Sequence, residues 1–179
     1  MIIALDTAHI ADANRPNEPF QIIGRLIPTY THGGWQAEEE LLPKPHMKTY
    51  EEEEIDWTQY INQPDKHVFL AYEEKQFAGR IVLRRDWNRY AFVEDIAVTM
   101  ALRGRGVGTA LMRQAEQWAR EQELCGLALE TQDTNLLACR FYQKCGMHIG
   151  AVNTMLYRNF PKPYCDEIAI FWYKRWESV

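Results

Sequence analysis

The sequence predicts an α+β domain with a mixed sheet, and three observations carry that prediction. Short β-branched and apolar runs cluster at several points along the chain. In the middle, two stretches with apolar residues at helical spacing alternate with such runs. A glycine-rich turn, Gly104-Arg105-Gly106-Val107-Gly108, falls where a strand ends and a helix begins. At 179 residues the chain is most simply one domain, 1–179, with enough material for a core.

Taken in order, residues 1–19 are mixed and polar and predict an irregular lead-in. Phe20 to Ile27 predicts a first strand stopped by Pro28, and Thr29 to Pro45, with Gly33-Gly34, Pro43 and Pro45, predicts turns. Ile55, Trp57, Tyr60 and Ile61 fit one face of a short helix ending before Pro64. His67–Tyr72 and Phe77–Arg85 predict a hairpin, and Tyr90–Val98 a third strand beside it. Val107, Leu111, Ala115 and Trp118 mark a helix to about Glu121. Leu124 to Thr131 predicts a strand, and Asp133 or Thr134 then caps a helix running to Lys144, with Gly146 just past its end. Met147–Tyr157 and Ile168–Tyr173 complete the strands. The apolar and aromatic residues from Phe171 to Trp176 fit either the core or a contact in a homodimer.

Composition narrows the class. Apolar content of 46% and charged content of 25% are those of a soluble globular protein. No apolar run is long enough for a membrane span. The start, Met1-Ile2-Ile3-Ala4-Leu5-Asp6, lacks the basic lead of a secretory signal, so a cytoplasmic protein is expected. Cys125, Cys139, Cys145 and Cys165 show no paired spacing, and the five histidines are scattered, so neither a disulfide frame nor a metal site is expected. A net charge of −5 argues against a protein devoted to nucleic acid. Glu38–Glu40, Glu51–Glu54 and Asp56 crowd together, either as a solvated face or as an electrostatic funnel for a cationic substrate.

The glycine turn suits an anion. The first N–H groups of a helix have no partner within it, the macrodipole favours negative charge there, and glycine lets a ligand approach the main chain. Arg103 and Arg105 add positive charge. A plain strand-to-helix connection that needs glycine for its geometry stays open beside that reading. Thr109 stands where the dinucleotide fingerprint has its last glycine, and the Gly-Lys-Ser/Thr ending of the nucleoside-triphosphate loop is absent. The remaining pattern, Arg-x-x-Gly-x-Gly after a strand, resembles the pyrophosphate loop of the GNAT superfamily of acetyl-CoA-dependent N-acetyltransferases. A second stretch, Asn135-x-x-Ala138-x-x-Phe141-Tyr142-x-x-x-Gly146, resembles that superfamily's second motif, with Met147 where Phe or Tyr is frequent.

The resemblance implies the GNAT (acyl-CoA N-acyltransferase) fold, a mixed and mostly antiparallel central sheet flanked by helices. It implies acetyl-CoA as co-substrate and no metal. An alkylamine, with a pKa of about 10.4, must lose a proton before it attacks, and the leaving thiolate benefits from a donor. Glu94 and Asp95 are two carboxylates in an apolar strand just before the glycine loop. Alternation places them on opposite faces. Taken alone, each fits equally a solvent edge or a pair with Arg84, Arg85 or Arg89. With the resemblance, Glu94 is expected to act as base through water, Asp95 to hold the substrate ammonium and Tyr142 to act as acid. Asn135 and Tyr142 are expected to touch the cofactor. The main chain of Ile96, Ala97 and Val98 is expected to hold the pantetheine arm. Arg103, Gly104, Arg105, Gly106, Val107, Gly108 and Thr109 are expected to hold the pyrophosphate. On helical spacing Leu137 and Phe141 form the core side of that second helix.

Trp87-Asn88-Arg89-Tyr90, the following Val93–Val98, and Leu129-Glu130-Thr131-Gln132-Asp133-x-Asn135 further resemble the streptothricin (nourseothricin) acetyltransferases. That resemblance implies acetylation of an amine in the β-lysine chain of streptothricin, which confers resistance. It gives the acidic run a cationic small-molecule partner, with no nucleic acid and no membrane involved. Trp87 and Tyr90 then offer aromatic faces to a cation, worth roughly 0.5–2 kcal/mol each; ordinary packing is the alternative. Two other functions fit the same motifs: a polyamine or protein-lysine N-acetyltransferase, and a non-catalytic acyl-CoA-binding sensor.

Overall fold

The computed structural model of the protein describes residues 1–15, 17–50 and 54–176. Glu51, Glu52 and Glu53 of the acidic run and Pro16 of the lead-in lie outside the described residues. In chain order the elements begin with β1 (Ile2–Ala4), α1 (Ile10–Ala13), β2 (Phe20–Thr31), β3 (Gly34–Lys48), β4 (Lys66–Glu73) and β5 (Gln76–Arg85). They continue with β6 (Tyr90–Val98), α2 (Val107–Glu121), β7 (Gly126–Gln132), α3 (Leu136–Lys144), β8 (His148–Asn153) and β9 (Ala169–Arg175). Two compact units share them. The described residues of Met1–Pro19, Thr49–Leu127 and Arg175–Val179 form the first, and Phe20–Lys48 with Ala128–Lys174 form the second. The chain changes unit before β2, after β3, within β7 and at the end of β9.

In the first unit, β1, β4, β5 and β6 pair antiparallel in that order. The predicted β4–β5 hairpin turns on Glu74 and Lys75, both left-handed at φ 48° and 67°. Two such residues make the tight turn whose twist matches the strands it joins. Helix α2 packs on β4, β5 and β6 and buries Leu111, Met112, Ala115, Trp118 and Ala119, close to the predicted stripe. The opposite side of the strands is covered by the lead-in, which is not irregular as predicted. It holds β1, a 3-10 turn at Thr7–His9 capped by Asp6, and α1. Leu5, Ala13, Trp57, Val68, Leu70, Phe77 and Val82 form one buried cluster there. The helix expected around Ile55–Ile61 is a single 3-10 turn, Trp57–Tyr60, opened by Asp56.

The second unit departs furthest from expectation. The strand predicted at Phe20–Ile27 is present but runs on through Pro28 to Thr31 as β2, and the residues predicted as turns form its partner β3, the two turning at Gly33 (φ 100°). Pro43 and Pro45 lie on the edge strand β3, and Pro28 lies past the stretch of β2, Gly24 to Leu26, that also bonds to Asp133 and Asn135, so these prolines do not break a ladder on both sides. Between the pairs Gly24↔Leu41 and Ile22↔His46 the register jumps, and both later prolines lie in that irregular stretch. Helix α3 packs against β2. Its cap is Asn135, whose Oδ1 accepts from Ala138 N at 3.2 Å. Neither Asp133 nor Thr134 serves. The Asp133 carboxylate accepts instead from Arg25 Nε at 2.7 Å and Ile168 N at 2.9 Å. Thr134 Oγ1 donates to Glu167 at 2.7 Å. Strand β8 ends at Asn153, short of the predicted Tyr157, and pairs antiparallel with β9. Trp172 is buried and belongs to the core.

Candidate active site

The first group of predicted site residues lies on β6. Val82 of β5 pairs with Asp95 and Leu83 pairs with Val93, so Glu94 is an extra residue, a β-bulge. The bulge cancels the alternation that would have sent Glu94 and Asp95 to opposite faces. Both instead reach arginines on one face of β5. Glu94 Oε1 lies 3.1 Å from Arg84 Nε, and Asp95 Oδ2 lies 2.8 Å from Arg80 Nε. Arg80 is buried and donates further to Ala13 O (3.0 Å), Arg15 O (2.5 Å) and Asn17 Oδ1 (2.9 Å). Its guanidinium stands 5.4 Å from the Trp57 ring centroid. A desolvated guanidinium with every arm engaged is a rigid support. Asp95 Oδ1 meets Asn17 Nδ2 at 3.5 Å. On the Glu94 side, Tyr60 donates its hydroxyl to Oε2 at 3.1 Å. The strand beyond the bulge is drawn close to β5: a Cβ on Gly79 would stand 2.4 Å from Ala97 O.

The glycine loop follows directly. Gly104 and Gly106 are left-handed, at φ 76° and 91°, and an added Cβ at either would meet nothing within 4 Å. Backbone conformation therefore demands glycine there, and the space above the loop is open. Gly106 is the N-cap of α2, without a side-chain cap and without an acidic residue in the first turn. The loop amides and the first helical N–H groups, at Val107, Gly108 and Thr109, thus fit an anion such as a diphosphate. Arg103 is spent on bracing: it donates to Val98 O (3.0 Å), Pro19 O (2.5 Å) and Glu18 O (3.1 Å). Arg105 reaches Glu73 at 2.7 Å, with both side chains substantially exposed.

Asn135 and Tyr142 lie in the second unit, two turns apart on α3. The buried side of α3 is Leu136, Cys139 and Tyr142; Leu137, expected in the core, is exposed. Helical spacing fixes which residues share a side but not which side faces inward. Tyr142 is 7% exposed, with its ring centroid 5.4 Å from that of Phe141 and 6.3 Å from that of Trp172. Burial pushes the Cys139 thiol up to about 12, which leaves it a packing residue and no nucleophile.

The remaining candidates separate. Trp87 is 91% exposed in the β5–β6 turn, and Tyr90 is half-buried at the start of β6. Nearby, Arg84 lies over Phe92 (4.5 Å) and Lys66 over Tyr60 (4.9 Å). Of the acidic run, Glu39 pairs with Arg140 at 2.9 Å, which lowers its pKa. Asp56 caps the 3-10 turn. Sequence reasoning missed Arg80 and the hydroxyl of Tyr60. An arginine in the middle of an apolar strand was a signal for the first. No local pattern signalled the second. Among the described residues no cluster of three or more His, Cys, Asp or Glu side chains is arranged to hold a metal ion.

The family model described as acetyltransferase (GNAT) family matches residues 33–147. Streptothricin acetyltransferase A of Bacillus subtilis (strain 168) is 49% identical over 97% of this chain and 98% of its own length. A Bacillus anthracis str. Ames protein assigned to the streptothricin acetyltransferases, solved with acetyl coenzyme A, superposes with a TM-score of 0.90. It is 35% identical, over 98% of this chain and 99% of that one. The crystal structure of nourseothricin acetyltransferase gives 0.80 at 26% identity, over 98% and 97% of the two chains.

Proposed function

The chain belongs to the acetyltransferase (GNAT) family, and from that premise we propose that it acetylates streptothricin-type antibiotics on a primary amine of the β-lysine chain and so confers resistance. It is an acetyl-CoA-dependent N-acetyltransferase with the α+β fold of that family. Kinship along nearly the whole chain with streptothricin acetyltransferase A carries the substrate proposal, and it supports treating 1–179 as one working domain.

In the proposed mechanism the loop amides of Gly104, Gly106, Val107, Gly108 and Thr109 hold the pyrophosphate, with Arg105 nearby. Arg103 contributes by holding the loop to the end of β6. The main chain of Ile96, Ala97 and Val98, with the Asn135 side chain, holds the pantetheine arm. The substrate arrives as an ammonium ion, which cannot attack a carbonyl. Glu94 takes its proton through a water. Asp95 Oδ1 meets the ammonium before that step, while Oδ2 stays with Arg80. The Tyr142 hydroxyl gives a proton to the leaving sulfur. Trp87, open to solvent beside this strand, and Tyr90 receive the remaining cationic groups. Transfer is direct, with no cysteine intermediate.

The test is the initial rate of thiol release from acetyl-CoA with streptothricin, spermidine or a lysine-bearing peptide. Streptothricin is expected to give the highest kcat/KM. A higher value for spermidine or the peptide moves the enzyme to polyamines or proteins. Cofactor binding without thiol release for any amine overturns the catalytic reading in favour of a sensor.

A further inference from the structure

The 3-10 turn Trp57–Tyr60 delivers a hydroxyl to Glu94, and its construction is specific. Asp56 Oδ1 accepts from Thr58 N at 3.1 Å and Thr58 Oγ1 at 2.6 Å, closing the turn. Trp57 is buried in the first unit's core and donates Nε1 to Asn14 Oδ1 at 3.1 Å. Tyr60 packs at 5.8 Å from Trp57 on one side and receives Lys66 Nζ at 4.9 Å from its ring centroid. Its hydroxyl then stands 3.1 Å from Glu94 Oε2, while Arg84 Nε stands 3.1 Å from Oε1. Arg84 is itself fixed by Asp86 at 2.6 Å. The two carboxylate oxygens are thus each held by one donor, from different elements. An ionised carboxylate offers about four lone-pair sites, so this fixes its plane and leaves sites for a proton or a water.

We propose that the Tyr60 hydroxyl is a positioning group for Glu94, holding the carboxylate in the orientation from which it accepts the amine proton. The proposal rests on Glu94 being the base. No proton leaves Tyr60 and no bond is made to it; its contribution is geometry. Burial first, then the charge of Glu94, pushes the Tyr60 hydroxyl up to about 12. It therefore stays a donor throughout the range in which an amine acetyltransferase is assayed.

A double-mutant cycle tests this. Tyr60→Phe keeps the ring, with its contacts to Trp57 and Lys66, and removes only the hydroxyl. Glu94→Gln tests the base separately. Glu94→Gln is expected to lower kcat by about 10²–10⁴-fold. Tyr60→Phe is expected to lower kcat roughly 10- to 100-fold, the range for losing a hydrogen bond to a charged group. KM for acetyl-CoA should stay as in wild type, and the loss of kcat should persist when rates are measured well below the thermal midpoint, on fully folded protein. In the Glu94→Gln background, adding Tyr60→Phe should change kcat by less than about twofold. Wild-type kcat in Tyr60→Phe, or equal losses in both backgrounds, overturns the positioning role while leaving Glu94 as base. Wild-type kcat in Glu94→Gln overturns the base assignment and the positioning role with it.

Discussion

Replacing Arg80 by alanine should unfold more than it disarms. Arg80 is 6% exposed, and its guanidinium donates to Asp95 Oδ2, Ala13 O, Arg15 O and Asn17 Oδ1. Alanine leaves a carboxylate and two main-chain carbonyls facing an emptied slot, with Trp57 losing the cation at its face. Breaking a buried pair from one side costs about 3–5 kcal/mol. The Asp95 side chain is 28% exposed and regains some water, so the lower end applies, about 3 kcal/mol. For a chain of this size that shifts Tm by roughly 6–12 °C. The assay is urea unfolding followed by tryptophan fluorescence, with acetyl transfer measured on the folded fraction. Transfer should fall as well, because Asp95 adjoins the bulge that presents Glu94. Arg80→Ala with Asp95→Ala should recover part of the lost stability, since the unpaired charge is gone. A loss below about 1 kcal/mol for Arg80→Ala would refute the view that this arginine fastens Ala13, Arg15, Asn17 and the bulge to β5.

Gly106→Ala meets no atom within 4 Å, so its whole cost comes from a φ of 91°. That is about 1–2 kcal/mol. The expected result is a Tm lowered by roughly 2–8 °C and a raised KM for acetyl-CoA, measured by steady-state kinetics; an unchanged Tm contradicts the left-handed loop. His67 lies 4.4 Å from Phe69 and 5.9 Å from Trp118 between ring centroids, and burial lowers its pKa from the usual 6.5. The unfolded chain then binds the proton more readily, so stability is full above about 6.5 and is lost as pH falls below it. His67→Phe should flatten that part of the stability profile; an unchanged slope in urea midpoints between neutral and acidic pH contradicts the assignment.

Much of the first unit was legible in the sequence. Strands β4, β5 and β6 are dense in β-branched and apolar residues, the turn at Glu74-Lys75 is short, and α2 carries its stripe at 107, 111, 115 and 118. The β2–β3 hairpin was not, because β3 is exposed along nearly its whole length and bears charges and prolines in place of an alternating pattern. Glu94 and Asp95 stood out as carboxylates in an apolar strand, yet their shared face was hidden. A bulge shows only in the pairing of two strands, here Val82↔Asp95 followed by Leu83↔Val93. Asn135 caps α3 because Asp133 is engaged by Arg25, 108 residues away, and Tyr60 meets Glu94 across 34 residues. Such distant partners leave no local trace.

The most direct measurement is the mass of streptothricin recovered after incubation with the protein and acetyl-CoA, with fragmentation to locate the change. One added acetyl group on the β-lysine chain, formed far more slowly when Glu94→Gln replaces the wild type, is the predicted result. Antibiotic recovered unmodified, or acetylated outside that chain, would contradict the proposed substrate.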